Sequence, residues 1–386
     1  MDWFLVRPAL LVLSAVPFVY YLFATASALA FFRRSDTPRN DFLPPVSVLK
    51  PVRGLDREAY ENLVSFFLQE YPSFEILFAV SDENDPAVPL IRTVIRDFPA
   101  VPARLLMGAP ALGTCDKVNK LVRLASEAKH DIVVISDSDI RVAQGYLRAI
   151  AAPFADSRAG AATCLYRGMT DGSLGADLEA LGNSSDFDAG VLAAWALGKL
   201  DFALGATVAT TKGRLAEIGG FESLVNYFGD DYELGNRISQ RGHPVKLIQF
   251  PVATVFPKQT LADSLRHQIR WYLTMRCSRP LGHLSLLLTH GLPWTVLAAT
   301  IAPSSIVALA YVATYILLRG AMAWTVGVRG IRDPLLRRKL WMLPARDAFA
   351  FLAWMASFFK HQISWRGQRF TIRDKQLVPV VSAGRR

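Results

Sequence analysis

Residues 132–139 read Ile-Val-Val-Ile-Ser-Asp-Ser-Asp, four branched apolar residues followed by two carboxylates two positions apart. Such a run is typical of a strand that is buried on both faces, as in a parallel sheet. Ligands of open α/β sheets bind at the carboxyl ends of strands, and side chains two apart on a strand point the same way. Asp137 and Asp139 therefore predict a site for a metal and a diphosphate, although short Asp/Ser clusters also form turns and helix caps.

The sequence on either side of this strand alternates predicted strands with predicted helices. That alternation predicts an α/β fold with a mainly parallel sheet flanked by helices and right-handed crossovers. No Gly-x-Gly-x-x-Gly or phosphate-loop motif occurs, so a dinucleotide-binding or ATPase domain loses support. Further strands are predicted over residues 45–51, 74–80, 159–166, 205–211 and 245–256 (the last broken at Pro251), and helices over 56–71, 89–98, 116–129, 171–200, 214–218 and 230–241.

Composition narrows the class of protein. The chain has 386 residues, is 52% hydrophobic and carries a formal charge of +10. A net positive charge of this size suits a protein that binds nucleic acid, an anionic membrane face or a phosphorylated substrate. No zinc-finger spacing or aromatic-rich RNA-binding signature is present, which favours a membrane and a nucleotide over nucleic acid. The cysteines at 115, 164 and 277 are odd in number and far apart, so they predict no disulfide framework or metal motif.

The N-terminus contains a candidate membrane anchor. Residues 9–32 carry no charge, which is long enough for a spanning helix of about 20 residues. A secretory signal is the alternative, but the basic pair Arg33-Arg34 follows the apolar run instead of preceding it. The positive-inside rule then predicts that the next domain faces the cytoplasm.

The C-terminal third is also apolar. Residues 281–318 contain no Asp, Glu, Lys or Arg, which predicts two spans near residues 284–301 and 304–328, with Arg319 complicating the second. Residues 348–359 are short for a span, and Arg346 and Asp347 could lengthen that segment if they pair with each other. The sequence leaves three or four crossings open.

A basic amphipathic helix is predicted before these spans, over residues 260–279. Its apolar stripe would rest in the membrane interface or pack on the domain. We therefore divide the chain into an N-terminal anchor (1–35), a cytoplasmic domain (36–258), the amphipathic helix (259–280) and a C-terminal membrane region with a basic tail (281–386). The predicted stripe consists of Leu261, Leu265, Ile269, Tyr272 and Met275.

Three acidic pairs follow predicted strands or begin a predicted helix. A nucleotide-sugar enzyme needs a carboxylate for the nucleotide, a pair for the metal on the diphosphate, and a general base for the acceptor hydroxyl. A cationic helix face such as His267 with Arg270 can hold the diphosphate. Other roles are ordinary for the same residues, since carboxylates cap helices and basic strips face solvent or lipid head groups. The pairs are Asp82/Asp85, Asp137/Asp139 and Asp230/Asp231.

In order and spacing, these motifs resemble the ceramide glucosyltransferase family, a branch of the inverting GT-A-type glycosyltransferases. The resemblance runs from about residue 45 to the end of the chain. It is carried by residues 45–51 (PVSVLKP) with 54–56 (GLD), 81–86 (SDENDP), 116–119 (DKVN), 136–139 (SDSD), 229–232 (GDDY), 267–271 (HQIRW) and 365–367 (WRG).

The resemblance implies a role for each motif. Asp82 or Asp85 would serve the nucleotide, Asp137 and Asp139 the metal and diphosphate, and Asp231 the catalytic base. Arg270 and Trp271 match the family's last motif, whereas His267 departs from its Gln or Arg. Lys117 and Asn119 resemble donor-side residues of such enzymes.

The function that follows is a multi-pass membrane enzyme with a GT-A-like domain in the cytoplasm. It would use a divalent cation, Mg²⁺ or Mn²⁺, to transfer glucose from UDP-glucose to a ceramide-like lipid with inversion. Transfer of N-acetylglucosamine from its UDP-sugar to a hopanoid is the related alternative. A membrane-anchored nucleotide-sugar sensor without turnover is the non-catalytic alternative. The oligomeric state stays open.

Overall fold

The apolar run at 132–136 forms a buried strand in the computed structural model, which describes residues 3–34, 42–360, 362–365, 368–373 and 375–380. The strands are β1 (Val46–Pro51), β2 (Phe74–Val80), β3 (Ala103–Met107), β4 (Ile132–Ser136), β5 (Ile140–Arg141), β6 (Ala161–Met169), β7 (Thr207–Thr211), β8 (Val245–Val255), β9 (Gln362–Trp365), β10 (Gln368–Arg373) and β11 (Gln376–Pro379).

Most of the predicted helices begin within a few residues of their predicted starts, whereas α6, α8, α12 and α15 were not predicted as separate helices. They are α1 (Trp3–Ser14), α2 (Val16–Arg33), α3 (Ala59–Phe67), α4 (Ala87–Asp97), α5 (Asp116–Glu127), α6 (Tyr146–Ala151), α7 (Leu174–Gly182), α8 (Asp188–Ala196), α9 (Lys212–Glu217), α10 (Asp230–Gln240), α11 (Leu261–Ser278), α12 (Pro280–Ser285), α13 (Gly291–Ile301), α14 (Ser305–Ala323), α15 (Pro334–Lys339) and α16 (Leu343–Phe358).

The chain divides into two compact units. The first, here the helical unit, comprises residues 1–34, 170–198 and 258–360. The second, here the sheet unit, comprises residues 35–169, 199–257 and 361–386. Residues 170–198, which fall inside the predicted domain 36–258, cluster with the N- and C-terminal helices, and the predicted domain division itself stays a prediction.

The sheet unit is built on an eight-stranded sheet in the order β3-β2-β1-β4-β7-β6-β8-β5. β1 pairs in parallel with β2 and β4, β2 with β3, and β6 with β8. β7 is antiparallel to both of its neighbours, and β5 is antiparallel to β8. The predicted mainly parallel sheet flanked by helices is therefore confirmed.

The sheet departs from the predicted strands at β3 and β5, which were not predicted, and at β8. β8 is continuous, so the break predicted at Pro251 is wrong. Its pairing with β6 shifts register between Cys164 and Tyr166, opposite this part of β8. A bulge of that kind accommodates a residue without a backbone N–H, because the proline need not donate to the ladder.

The core of the sheet unit explains why β1 and β4 are almost purely apolar. Both strands are buried along their whole length. Val133, Leu49 and Leu121 belong to one apolar cluster that also includes residues of α10, so strand and helix side chains fix the ends of these elements relative to one another.

The helical unit contains the membrane candidates. Two helical stretches among the described residues, Val6–Arg33 and Ser305–Gly330, are long and apolar enough to cross a membrane. A bent pair, Pro280–Leu288 with Gly291–Ile301, brings the number to three if it is a single span. α16, which contains the predicted short segment 348–359, is not among these candidates.

Arg319 and Asp347 form a buried ion pair in the helical unit. The Arg319 Nε and Nη2 atoms donate to the two Asp347 carboxylate oxygens, each at 2.9 Å, and the Tyr315 hydroxyl donates to Oδ2 at 2.7 Å. Pairing of Asp347 with Arg346 is wrong: the Arg346 Nη2 atom donates instead to Gln268 Oε1 at 3.2 Å. The charge within the second apolar segment is thus neutralised by a neighbouring helix.

α11 begins at a capping box formed by Thr260 and Asp263, as its sequence allows. Its most buried side chains, however, are Ser264, Gln268 and Leu273, while Leu261 at the start of the predicted stripe is 45% exposed. The other four stripe residues are partly buried, and whether the stripe rests in the membrane interface or packs on the domain stays a prediction. α11 packs against α7 and α16, where Glu179 contacts His267 and Arg346 donates to Gln268.

We expect Arg319→Leu to lower the free energy of unfolding by about 3–5 kcal/mol, because it leaves the Asp347 carboxylate buried without a counter-charge. Replacing both residues by leucine should recover most of that loss. Thermal unfolding of the purified protein in detergent measures both effects. Arg158→Leu, at an exposed pair with Asp156, is the control and should change nothing measurable. Equal stability of the single and double variants would contradict this account.

Candidate active site

The two carboxylates that follow β4 lie in a tight connection between β4 and β5. The backbone N–H of Ile140 donates to the Asp137 carbonyl at 3.3 Å, and the Val255 N–H donates to the Asp139 carbonyl at 2.9 Å. The second hydrogen bond fixes the turn to the end of β8. Both side chains are partly exposed at the carboxyl end of β4, where the sequence predicts a site.

Lys117 connects the predicted acidic motifs. It lies in the first turn of α5, and its ammonium is 2.8 Å from Asp137 Oδ1 and 3.3 Å from Asp230 Oδ2. Burial lowers the pKa of Lys117, but Asp137, Asp230 and Asp231 outweigh it and hold that pKa well above the ordinary value. Residues almost a hundred positions apart thus converge on one cationic side chain.

Lys50 is a second cation at this site, and the sequence analysis missed it. Its side chain is fully buried, its ammonium donates to the Asp137 carbonyl at 2.9 Å, and it lies 3.7 Å from the ring centre of Phe66. Burial lowers the pKa of Lys50 to about 7, against the opposing effect of Asp137 and Asp139. The signal was a single lysine within the apolar strand β1, since a buried lysine requires a partner.

The residues at 137 and 139 fit a divalent cation. Burial, followed by the charges of Asp137 and Asp56, raises the pKa of Asp139 to about 7. A cation relieves that repulsion between carboxylates. No group of three or more potential metal-ligating side chains occurs in the part of the chain that the structure describes. Two carboxylates suffice for Mg²⁺ when substrate phosphates complete the coordination.

Asp231 occupies a confined position at the start of α10. Gly229 precedes the helix, so neither Asp230 nor Asp231 is the N-cap residue. A Cβ atom at Gly205 would lie 2.8 Å from Asp231 Oδ2, so only glycine leaves room for the carboxylate there. Burial, then the charge of Asp230, raises the pKa of Asp231 to about 6. A raised pKa near neutrality suits a general base.

The structure gives Asp82 and Asp85 different surroundings. The Asp85 carboxylate accepts hydrogen bonds from the backbone N–H groups of Gly54 and Ala87, each within 3.0 Å. Asp82 is exposed, and its Oδ1 atom accepts from the N–H of Asn84 at 2.9 Å. Asp85 therefore holds two loops together, whereas Asp82 faces solvent. Donor binding by either stays a prediction.

Asn119 closes the loop that leads into α5. Its Nδ2 atom donates to the Gly113 carbonyl at 2.9 Å, and its Oδ1 atom accepts from the Gly113 N–H at 3.2 Å. Both ends of the side chain are thus used within the loop, which positions Lys117. A direct contact of Asn119 with the donor stays a prediction.

The C-terminal tail contributes to the sheet unit, which the sequence analysis did not anticipate. β9, β10 and β11 form a separate antiparallel sheet. The Leu377 N–H donates to the Asn226 carbonyl at 2.8 Å, and the Lys375 ammonium is 3.2 Å from Glu233 Oε1. The tail therefore buttresses the segment that carries Asp231. Of the motif at 365–367, Trp365 ends β9, and residues 366 and 367 lie outside the described residues.

The remaining predicted site residues lie on α11 in the helical unit. The His267 Nδ1 atom contacts Glu179 Oε1, and its ring is 5.6 Å from that of Trp271. Trp271 also meets Phe187 edge to face at 5.9 Å. Arg270 is partly buried. Convergence of these side chains on the carboxylates of the sheet unit stays a prediction.

Comparison with known proteins assigns the chain to a family. The sequence model of glycosyl transferase family 21 matches residues 9–378. Ceramide glucosyltransferase 1 of Caenorhabditis elegans is 28% identical over 243 residues, which cover 59% of this chain and 49% of that protein. The ceramide glucosyltransferase of Komagataella phaffii is 38% identical over 121 residues, 30% of this chain and 24% of that one. The chain thus spans about half the length, or less, of these relatives.

Among solved structures, the mannosyltransferase PcManGT from Pyrobaculum calidifontis, in complex with GDP-Man and Mn²⁺, has a TM-score of 0.55 at 17% identity. The match covers 92% of this chain and 99% of that one. At that identity the likeness shows a shared fold. The predicted resemblance to the ceramide glucosyltransferase family is confirmed, and the chain belongs to glycosyl transferase family 21.

Proposed function

We propose that the protein transfers a hexose, glucose in the first instance, from a UDP-sugar to the hydroxyl of a ceramide-like membrane lipid, with inversion at the anomeric carbon. The carrying observation is the position of Lys117 between Asp137 and Asp230. It brings the pair at the end of β4 and the pair at the start of α10 to one site, as a single-displacement transfer requires.

Each carboxylate then has a distinct task. Asp231 takes the proton from the acceptor hydroxyl as that oxygen attacks the anomeric carbon and the bond to the diphosphate breaks. Asp82 is the better candidate for the nucleotide, because the Asp85 carboxylate already accepts two backbone N–H groups. Lys117 holds the two acidic pairs together and neutralises part of their charge.

Asp137 and Asp139 would hold the divalent cation, Mg²⁺ or Mn²⁺. When bound, that ion offsets the negative charge that develops on the leaving diphosphate. The raised pKa of Asp139 is consistent with this assignment, because burial and then the neighbouring carboxylates of Asp137 and Asp56 disfavour its charge in the absence of a cation. His267 and Arg270 would assist at the diphosphate, as the resemblance implies.

A lipid acceptor fits the composition of the chain. The apolar stretches Val6–Arg33 and Ser305–Gly330 suit a multi-pass protein, and by the positive-inside rule the basic pair Arg33-Arg34 supports a cytoplasmic sheet unit. UDP-sugars would then reach the carboxylates directly, while the lipid arrives through the bilayer. The lipid itself is best identified by mass spectrometry of extracts from cells with and without the protein.

Asp231→Asn should reduce UDP release in the presence of lipid by about 10²–10⁴-fold, because the amide cannot take the acceptor proton. UDP-sugar binding should persist, measured by calorimetry on the purified protein. Folding should not suffer, since the change removes a charge that its surroundings disfavour. Wild-type protein that binds the donor without any lipid-dependent release would favour the sensor.

The rate should fall below about pH 6, as the Asp231 carboxylate takes up a proton and can no longer act as a base. The sign follows from the raised pKa: the group is an active base above that pH and inactive below it. The measurement is kcat against pH at saturating donor, lipid and Mn²⁺. Raising the Mn²⁺ concentration should leave this limb unchanged, because the cation acts at Asp137 and Asp139. A flat profile between pH 5 and pH 8 would count against Asp231.

Gly205→Ala should lower kcat about tenfold or more, because the added methyl lies too close to Asp231 Oδ2 and displaces the base. The KM for the UDP-sugar should change little. Gly213→Ala is the matched control, since its nearest neighbour would be at an ordinary 3.8 Å. Equal kcat values for the two variants would show that the carboxylate tolerates displacement.

A further inference from the structure

A polar cluster lies inside the helical unit. Of the residues given a role above, His267 contacts it. It comprises Glu179 on α7, Asn183 just after α7, Ser264 and Gln268 on α11, and Arg346 on α16. Each is at most 5% exposed. Five buried polar side chains on three helices are unusual in a unit this apolar, because each must find a partner or cost stability.

Contacts bring these residues to one place. The Glu179 Oε1 atom is bonded to His267, one turn along α11 from Ser264. Arg346 Nη2 donates to the Oε1 atom of Gln268, and Gln268 lies four residues after Ser264 on α11. A Cβ atom at Gly182 would lie within 2.5 Å of the Arg346 guanidinium, so the arginine rests directly on α7 beside Asn183. The three helices therefore enclose the cluster.

The cluster is only half satisfied. Glu179 Oε2, Asn183 Nδ2, Ser264 Oγ and the Nε and Nη1 atoms of Arg346 are buried and have no hydrogen-bond partner among the described residues. An unsatisfied buried polar atom costs roughly 1–3 kcal/mol. So many in one cluster indicate that another molecule supplies the missing partners.

The chemistry of the open atoms defines that molecule. Arg346 and Asn183 offer donors, which suit a carbonyl or hydroxyl oxygen, and Glu179 offers an acceptor, which suits an O–H or N–H. The formal charges of Glu179 and Arg346 cancel. A neutral head group that carries both donors and acceptors therefore fits these atoms.

We propose that this cluster binds the uncharged amide and hydroxyl head group of the acceptor lipid. The inference rests on the proposed function, because it assigns the acceptor's recognition site. An open apolar groove of about 410 Å³ in the same unit, lined by residues such as Leu292, Val296 and Ile316 and by none of the cluster, has the volume of an ordinary ligand pocket. Its walls suit the hydrocarbon chain of such a lipid.

The test uses the full chain in phosphatidylcholine nanodiscs, with Ser264→Ala and Asn183→Asp as variants. The first removes an open hydroxyl, and the second replaces a donor by an acceptor of the same shape. Ser27→Ala is the control, because that buried hydroxyl already donates to the Phe23 carbonyl. We expect the KM for a short-chain ceramide to rise about tenfold in both variants, with the UDP-sugar KM and the control unchanged.

Binding is measured separately in the Asp231→Asn background, so that the readout does not depend on turnover. A photoreactive ceramide should label the protein, and unlabelled ceramide should compete at least tenfold better than a diacylglycerol, which has the hydroxyl but lacks the amide. Labelling should fall in the Ser264→Ala protein.

The outcomes separate the two proposals. Cluster-dependent ceramide labelling by a protein that transfers no sugar to any lipid would uphold the site and overturn the proposed function. Lipid glycosylation with an unchanged ceramide KM in both variants would overturn the site alone. Variants that lose only thermal stability would show that water satisfies the cluster, which also overturns it, as would equal competition by diacylglycerol.

Discussion

The site of the sheet unit depends on one ammonium, that of Lys117, whose side chain is 17% exposed. Lys117 reaches carboxylates that come from two separate elements, and without it Asp137 and Asp230 would repel each other across a confined space. The contact fixes α5, the end of β4 and the start of α10 relative to one another. The remaining groups of the site are arranged around this constraint: the loop closed by Asn119 positions the lysine, and Gly205 leaves room for the Asp231 carboxylate.

Acidic groups outnumber basic groups at this site. Four carboxylates, those of Asp137, Asp139, Asp230 and Asp231, face two lysines. Burial raises the pKa values of Asp139 and Asp231, and repulsion from neighbouring carboxylates adds to that effect. A raised pKa at the first position suits a bound cation, and one at the second suits a base that works near neutral pH. The proposed transfer reaction would use both properties.

In the helical unit, buried charges neutralise each other. Arg319 pairs with Asp347, and the Tyr315 hydroxyl also donates to Asp347, so the charge in an apolar helix links α14 to α16. The cluster around Glu179 and Arg346 is enclosed in the same manner but keeps open donors and acceptors. The Arg319–Asp347 pair has all its partners within the protein and is therefore a structural contact. The cluster lacks some of its hydrogen-bond partners and is therefore a candidate ligand site.

Local patterns in the sequence determined the strands, most helix starts and the acidic motifs. A branched apolar run such as 132–135 can be buried on both faces, and the carboxylates after it must lie at the strand end, because chain direction alone places them there. The long apolar stretches at residues 9–32 and 281–318 predicted helices in the same way, from the local sequence alone. The family resemblance also rested on the order and spacing of short motifs, which a linear chain displays directly.

Only the tertiary structure decided which side chains meet. Nothing in the spacing shows that Lys117 joins Asp137 to Asp230, that Lys50 supports the Asp137 carbonyl, or that Asp347 selects Arg319 instead of its neighbour Arg346. Two of the three most buried side chains of α11, Ser264 and Gln268, are polar, and Gln268 accepts a hydrogen bond from Arg346 on α16. Such pairings are set by long-range packing and by the cost of burying an unpaired charge, and both depend on residues far away in the sequence.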